Sequence, residues 1–255
     1  MFDPILTIAR YTFYEAVRNR LFLLTAIGLV CLLGLTAFIG DLAITESRQV
    51  QAAIVGSSMR IFTVITVALF VITSTVREFN DKGFELLLSL PMPRYTYYFG
   101  KFAGFFLLAL VITFSTGILL LAYCDISAIL MWTASLICEL SIIISLSILC
   151  LFTFSNITVA FITVTAFYFL SRSIYAIQLI SLNPILESRD FSQEFINYMI
   201  NIIAYILPEL HSFTRSEWLL YGPKWGDLVP VFGQTSVYLV LLVAAGLFDL
   251  YRKDS

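Results

Sequence analysis

Glu139 stands out by its surroundings: it is the only charged residue between Asp125 and Arg172 and lies inside the apolar run 129–152. An ionised carboxylate in hydrocarbon is costly unless it is paired, which makes such a residue a functional-site candidate by default. Spacing proposes Arg172 as its partner. The runs 129–152 and 157–177 read as a hairpin turning near Ser155-Asn156. Equal spacing from that turn sets both residues about 24 Å away, in the outer half of a membrane. Two roles stay open, an ion pair fixing hairpin register or a polar point on a translocation path.

Other reactive side chains offer less. His211 is the sole histidine, and the four cysteines (Cys31, Cys124, Cys138, Cys150) lie in or beside apolar segments without CxxC spacing. They read as small packing residues, and no metal-ligand cluster can be assembled from this chain alone. A phosphate-binding G-x(4)-G-K-[ST] loop is missing: ahead of Gly100-Lys101, Tyr95 stands where the first glycine belongs, and Phe102 follows. An intramembrane enzyme built on Glu139 and His211 would lack both a nucleophile motif and a second intramembrane acid. It is the weakest functional class.

The elements that position these residues are set by hydrophobicity. Of 255 residues, 60% are hydrophobic and 13% charged, and mean hydropathy is +0.92. That composition fits one polytopic, all-α membrane domain. Six spans are predicted: 21–40, 61–76, 102–123, 129–152, 157–177 and 231–248. The second is short and continues into 77–79 as an overhanging helix. A seventh candidate, 191–207, is only about 25 Å long, short of a comfortable span, and reads as re-entrant or interfacial. With six spans, Arg10, Arg18, Arg20, Arg77, Lys82, Arg94, Lys101, Arg252 and Lys253 share one side with both termini. Arg48, Arg60, Arg172, Arg189, Arg215 and Lys224 take the other. The richer side is predicted to be cytoplasmic. Net charge of −2 says little about partners, because the charges sit in loops, and no nucleic-acid footprint is present in the sequence.

Residues 1–20 read as an amphipathic helix on the cytoplasmic face, not a cleaved signal segment. Asp3-Pro4 starts it, and Ile5, Ile8, Ala9, Thr12, Phe13 and Ala16 recur at helical spacing. Residues 249–255 form a cytoplasmic tail. Within the domain 21–248, the outer segment 181–230 is rich in proline, glycine and aromatic residues. Its rings, including Trp218, Tyr221 and Trp225, read as an interfacial belt.

Residues 77–101 form a charged, proline-punctuated island between two apolar runs. Gly83 breaks the overhanging helix and Asn80-Asp81 caps the next. Phe84, Leu87 and Leu88 then share one face with Glu85 beside it, and Pro91 and Pro93 stop the helix. Arg94 and Lys101 are placed at headgroup depth, with tyrosines 95, 97 and 98 as interfacial anchors. A short helix held out by two spans can take a push from a soluble domain, although an ordinary solvated loop has the same composition.

Arg77-Glu78, Gly83, Glu85 to Pro91, Pro93-Arg94 and Gly100-Lys101 together resemble the coupling region of the ABC type-2 permease family. Residues 8–20, with Glu15 and Arg18-Asn19-Arg20, are similar to that family's amphipathic start. The stretch Leu207-Pro208-Glu209-Leu210-His211-Ser212-Phe213, Gly222, and residues 247–254 with Arg252-Lys253-Asp254 are similar to the end of permeases of multicopper-enzyme maturation and of sodium or drug efflux. The resemblance implies an ATPase-coupling set of Arg77, Glu78, Lys82, Gly83, Phe84, Glu85, Leu88, Pro91 and Arg94. It also implies re-entrant outer helices in 181–230 and a half-permease of the bacterial inner membrane. That half-permease would pair with a second permease chain, identical or paralogous, and with two ATPase subunits that hold ATP and Mg. A mechanotransmitting role, moving a periplasmic partner instead of a solute, is the alternative.

Overall fold

The computed structural model describes residues 3–42, 47–80, 93–154, 156–182, 191–215, 217–222 and 225–252. Its organising element is the helix Ile126–Phe154, 83% of whose span is buried by other helices, against 28% for Ile157–Ser181 and 17% for Trp225–Arg252. In chain order the helices are α1 (Asp3–Arg18), α2 (Arg20–Leu42), α3 (Ser47–Asn80), α4 (Arg94–Leu120) and α5 (Ile126–Phe154). Next come α6 (Ile157–Leu182), α7 (Phe191–Ile206), α8 (Leu210–Phe213), α9 (Glu217–Tyr221) and α10 (Leu228–Arg252), the last entered through a 3-10 turn at Trp225–Asp227. Around α5 pack α3, α4, α6 and α10.

Five of these helices are long and apolar enough to cross a membrane, and α1 with α2 gives a sixth if that bent pair counts as one span. The chain is therefore a polytopic α-helical membrane protein. The bend between α1 and α2 is 59° and has a local cause: the Asn19 carboxamide accepts the Leu21 N–H at 3.2 Å and caps α2. One end of the bundle carries Asn80 and Pro93, flanking the island. We call it the island end, and the opposite one the far end.

Three expectations shift in the structure. The second span was predicted over 61–76, but α3 runs from Ser47 to Asn80, so Arg60 belongs to the helix and not to an outer loop. Its overhang through Arg77 to Asn80 is present. Tyr97 and Tyr98, predicted as interfacial anchors, are buried in the bundle, as is Lys101. Trp218, assigned to an interfacial belt, is also buried, whereas Trp225 is exposed. For α7 the short length holds: its apolar part, Phe195–Ile206, is below span length.

The periodic face read in residues 5–16 buries Ile8, Ala9, Thr12 and Ala16, and it meets protein. It packs on α4, where glycines at i and i+4 let the two backbones approach. A Cβ at Gly100 would stand 2.7 Å from Ile8 Cβ, and one at Gly104 would stand 2.6 Å from Thr12 Cβ and 2.8 Å from the Ala9 carbonyl. Gly104→Ala should therefore cost about 1–3 kcal/mol through overpacking. Gly34→Ala, where an added Cβ meets none of the described residues within 4 Å, should be neutral or stabilising by up to about 1 kcal/mol. Unfolding midpoints of the two variants in detergent check the contrast.

Candidate functional site

The far half of the bundle is built around a buried cation, Arg60. Arg60 lies 13 residues into α3 and Glu139 13 residues into α5, so each sits about 20 Å from the far end of its helix. The two helices run in the same direction: Gly56 lies near Trp132, and the Phe79 and Phe152 rings are 6.3 Å apart lower down. Arg60 is 1% and Glu139 0% exposed, and Arg60 Nη1 donates to Glu139 Oε2 at 2.8 Å.

Other acceptors complete the site. Nη1 also reaches the Phe213 carbonyl at 2.9 Å. Nη2 donates to the Trp132 carbonyl at 3.0 Å and to Ser135 Oγ at 2.8 Å. The guanidinium carbon stands 4.8 Å from the Trp132 ring centroid, a cation–π contact in a desolvated setting. Ser135 Oγ lies 3.0 Å from both the Trp132 and Phe213 carbonyls, within donating distance of either. Among the described residues Arg60 Nε and Glu139 Oε1 find no hydrogen-bond partner. Planar guanidinium geometry suits this work, because one side chain can serve several acceptors at fixed angles.

Phe213 ends the single turn α8, so its carbonyl lacks an intrahelical donor and is satisfied by Arg60. Arg60 thereby ties the far-end segment, α8 and α9, to α3 and α5. The same segment is seated by apolar contacts: Leu210, Phe213 and Trp218 are buried, and Leu219 occupies the space over Gly56, where a Cβ would lie 2.5 Å from Leu219 Cδ1. Trp218 Nε1 donates to Asp227 Oδ2 at 3.2 Å. His211 stacks on Tyr175 with centroids 4.1 Å apart and planes 5° from parallel. Burial lowers the His211 imidazole from its ordinary pKa, with Glu209 partly opposing.

Glu139 thus pairs with Arg60 and not with the predicted Arg172, whose Nη1 donates to Tyr168 Oη at 2.9 Å. Spacing from the turn does not fix the direction of the side chains, and that direction separates the two residues. Long helical side chains lean toward their own N-terminus. In the parallel helices α3 and α5 the two heads lean the same way. In α6, which runs opposite to α5, Arg172 leans away from the far end, toward Tyr168. Arg172 remains close enough to the pair to act electrostatically on Arg60.

At the island end a second network braces the chain entering and leaving the island. Glu78 near the end of α3 pairs with Lys101 of α4, both largely buried, and Tyr97 Oη donates to Glu78 Oε2 at 3.3 Å. Ser74 Oγ donates to Glu15 Oε1 at 3.2 Å, adding α1. Arg94 Nη1 donates to the carbonyls of Leu250 and Tyr251 at 3.1 and 3.4 Å, at the end of α10. Of the predicted coupling set, Arg77, Glu78 and Arg94 are described and cluster at this end. Lys82, Gly83, Phe84, Glu85, Leu88 and Pro91 lie outside the described residues.

Arg60 is the residue that the sequence pattern did not mark as a site. The available signal was the stripe Ala52, Val55, Met59, Thr63, Val67 and Phe70, all buried in α3. It runs back past residue 61 at helical spacing and takes Arg60 with it.

Compared with protein-family models and with curated proteins, the chain matches none. Its class is therefore given by its architecture alone, an α-helical membrane bundle with a buried ion pair.

Glu139→Ala leaves Arg60 buried without its counter-ion and should destabilise by about 3–5 kcal/mol. Arg172→Ala should cost less, about 1–2 kcal/mol, because it removes one charge-assisted hydrogen bond and strands no ion. In double-mutant cycles by thermal or denaturant unfolding, Glu139 should couple strongly to Arg60 and weakly to Arg172. The reverse order would refute the assignment.

Proposed function

We propose that this chain is the permease subunit of an ATP-driven ABC exporter in the bacterial inner membrane, both termini cytoplasmic. The observation carrying the reading is the brace at the island end. The helices flanking residues 81–92 are joined by the buried Glu78–Lys101 pair, and Arg94 fastens the exit to α10. An island on such a base delivers a push to α3 and α4 instead of dissipating it in a slack loop. The sequence resemblance to the coupling region adds the expected contact, with Glu85, Phe84 and Leu88 meeting an ATPase that supplies ATP hydrolysis in trans.

Because α5 is almost wholly buried within the chain, the reading puts the export path between this chain and a second permease chain, served by two ATPase subunits. A polar cavity between the two chains distinguishes export from the mechanotransmitting alternative, in which a periplasmic partner is moved and no cavity is needed.

Glu85→Lys should leave the chain inserted yet abolish coupling between ATP turnover and transport, read by ATPase assay and transport in one reconstituted preparation. Unchanged coupling would remove the coupling-helix assignment. For topology, a single cysteine at position 255 in a cysteine-free background should resist an impermeant thiol reagent in intact cells, while one at position 188 should react. Labelling at 255 would mean one more crossing than the six proposed.

A further inference from the structure

On α6, Tyr168, Arg172 and Tyr175 recur at i, i+4 and i+7 and share one face. Arg172 is half-buried, and among the described residues its guanidinium makes a single hydrogen bond, to the neutral phenol of the buried Tyr168. Among the described residues no carboxylate lies within ion-pair distance of it: the pairs are Arg60–Glu139, Lys101–Glu78 and Arg215–Asp227. The nearby acid, Glu139, is thus taken by Arg60, and the Arg60, Glu139 and Arg172 group carries one positive charge in excess. A guanidinium in an apolar span calls for an anion, and its remaining N–H groups offer the paired donors that a phosphate or carboxylate accepts.

The surroundings narrow the ligand. Beside Arg172 the surface of α6 is apolar and open, with Phe169 (i−3) 42% exposed and Leu179 (i+7) exposed further along. The His211–Tyr175 stack stands one turn toward the far end. We propose that Arg172 is the headgroup site for an anionic amphiphile, a phosphate or carboxylate on an apolar tail. Tyr168 orients the guanidinium and the exposed face of α6 takes the tail. The site supplies a ligand class for the exporter, and it rests on the export function only for the transport of the bound ligand, not for its binding.

Binding can be tested without an ATPase. The purified chain in dodecyl maltoside is titrated with dodecyl phosphate, dodecanol, inorganic phosphate or phosphatidylglycerol while its unfolding midpoint is measured, since a ligand of the folded state raises that midpoint. Dodecyl phosphate should raise it saturably, and Arg172→Gln should shift half-saturation about 10- to 100-fold higher, the loss of a charge-assisted hydrogen bond. Arg172→Lys should fall between. If Arg172→Gln yields no folded protein, Tyr168→Phe, which frees the guanidinium, should also weaken the response. An Arg172-dependent response to phosphatidylglycerol assigns a bilayer lipid as the ligand, and silence there assigns a free amphiphile. Equal responses in wild type and both Arg172 variants, or an equal response to dodecanol or inorganic phosphate, would overturn the proposal. Failure of Glu85→Lys to uncouple would leave this binding result untouched, so the two readings fail separately.

Discussion

An arginine that is 1% exposed has to be met by acceptors, and the far half of this bundle is arranged to meet Arg60. One carboxylate, two backbone carbonyls, one hydroxyl and one indole face converge on it from α5 and the far-end segment. Burying such a pair yields little net stability against well-packed apolar residues, but breaking it is costly. Its value is specificity. Only one register of α3 against α5, and one seating of α8, brings all these acceptors to a single guanidinium.

A similar logic holds at the island end with different chemistry. There a lysine, a glutamate and a tyrosine close the base of the island, and Arg94 meets the carbonyl end of α10, where a cation is favoured. Since α3 carries both Arg60 and Glu78, one helix links the two polar clusters. Serines along α5 fill the contacts between: Tyr98 Oη lies 3.1 Å from Ser145 Oγ, and Ser141 and Ser147 bond back to their own helix. A Cβ at Gly246 would stand 2.8 Å from the Tyr98 ring, so the close approach of α10 depends on that glycine.

Much of the architecture was legible because hydrocarbon imposes length and composition on a span. The helical runs of α4, α5, α6 and α10, the periodic face of α1 and the short length of α7 all derive from pattern. Glu139 was legible as a site because an isolated acid in such a run has few explanations. Its partner was not, because Arg60 sits where α3 has already turned polar, at Gly56-Ser57-Ser58, and a hydropathy boundary cut the helix there. The inward turn of Tyr97, Tyr98 and Lys101 was illegible for a related reason. Residue type predicts interfacial depth, whereas packing of α1, α3 and α10 around α4 decides which side of the helix is covered.

The central claim is that Arg60 holds the far-end segment in place. The most direct measurement is thiol accessibility of a single cysteine at Leu210, a buried position of that segment, in a cysteine-free chain. The account predicts slow labelling in the parent, fast labelling when Arg60→Met is added, and slow labelling when Arg172→Met is added instead. Equally slow labelling with Arg60→Met would contradict it, since the segment would then be seated without the buried cation.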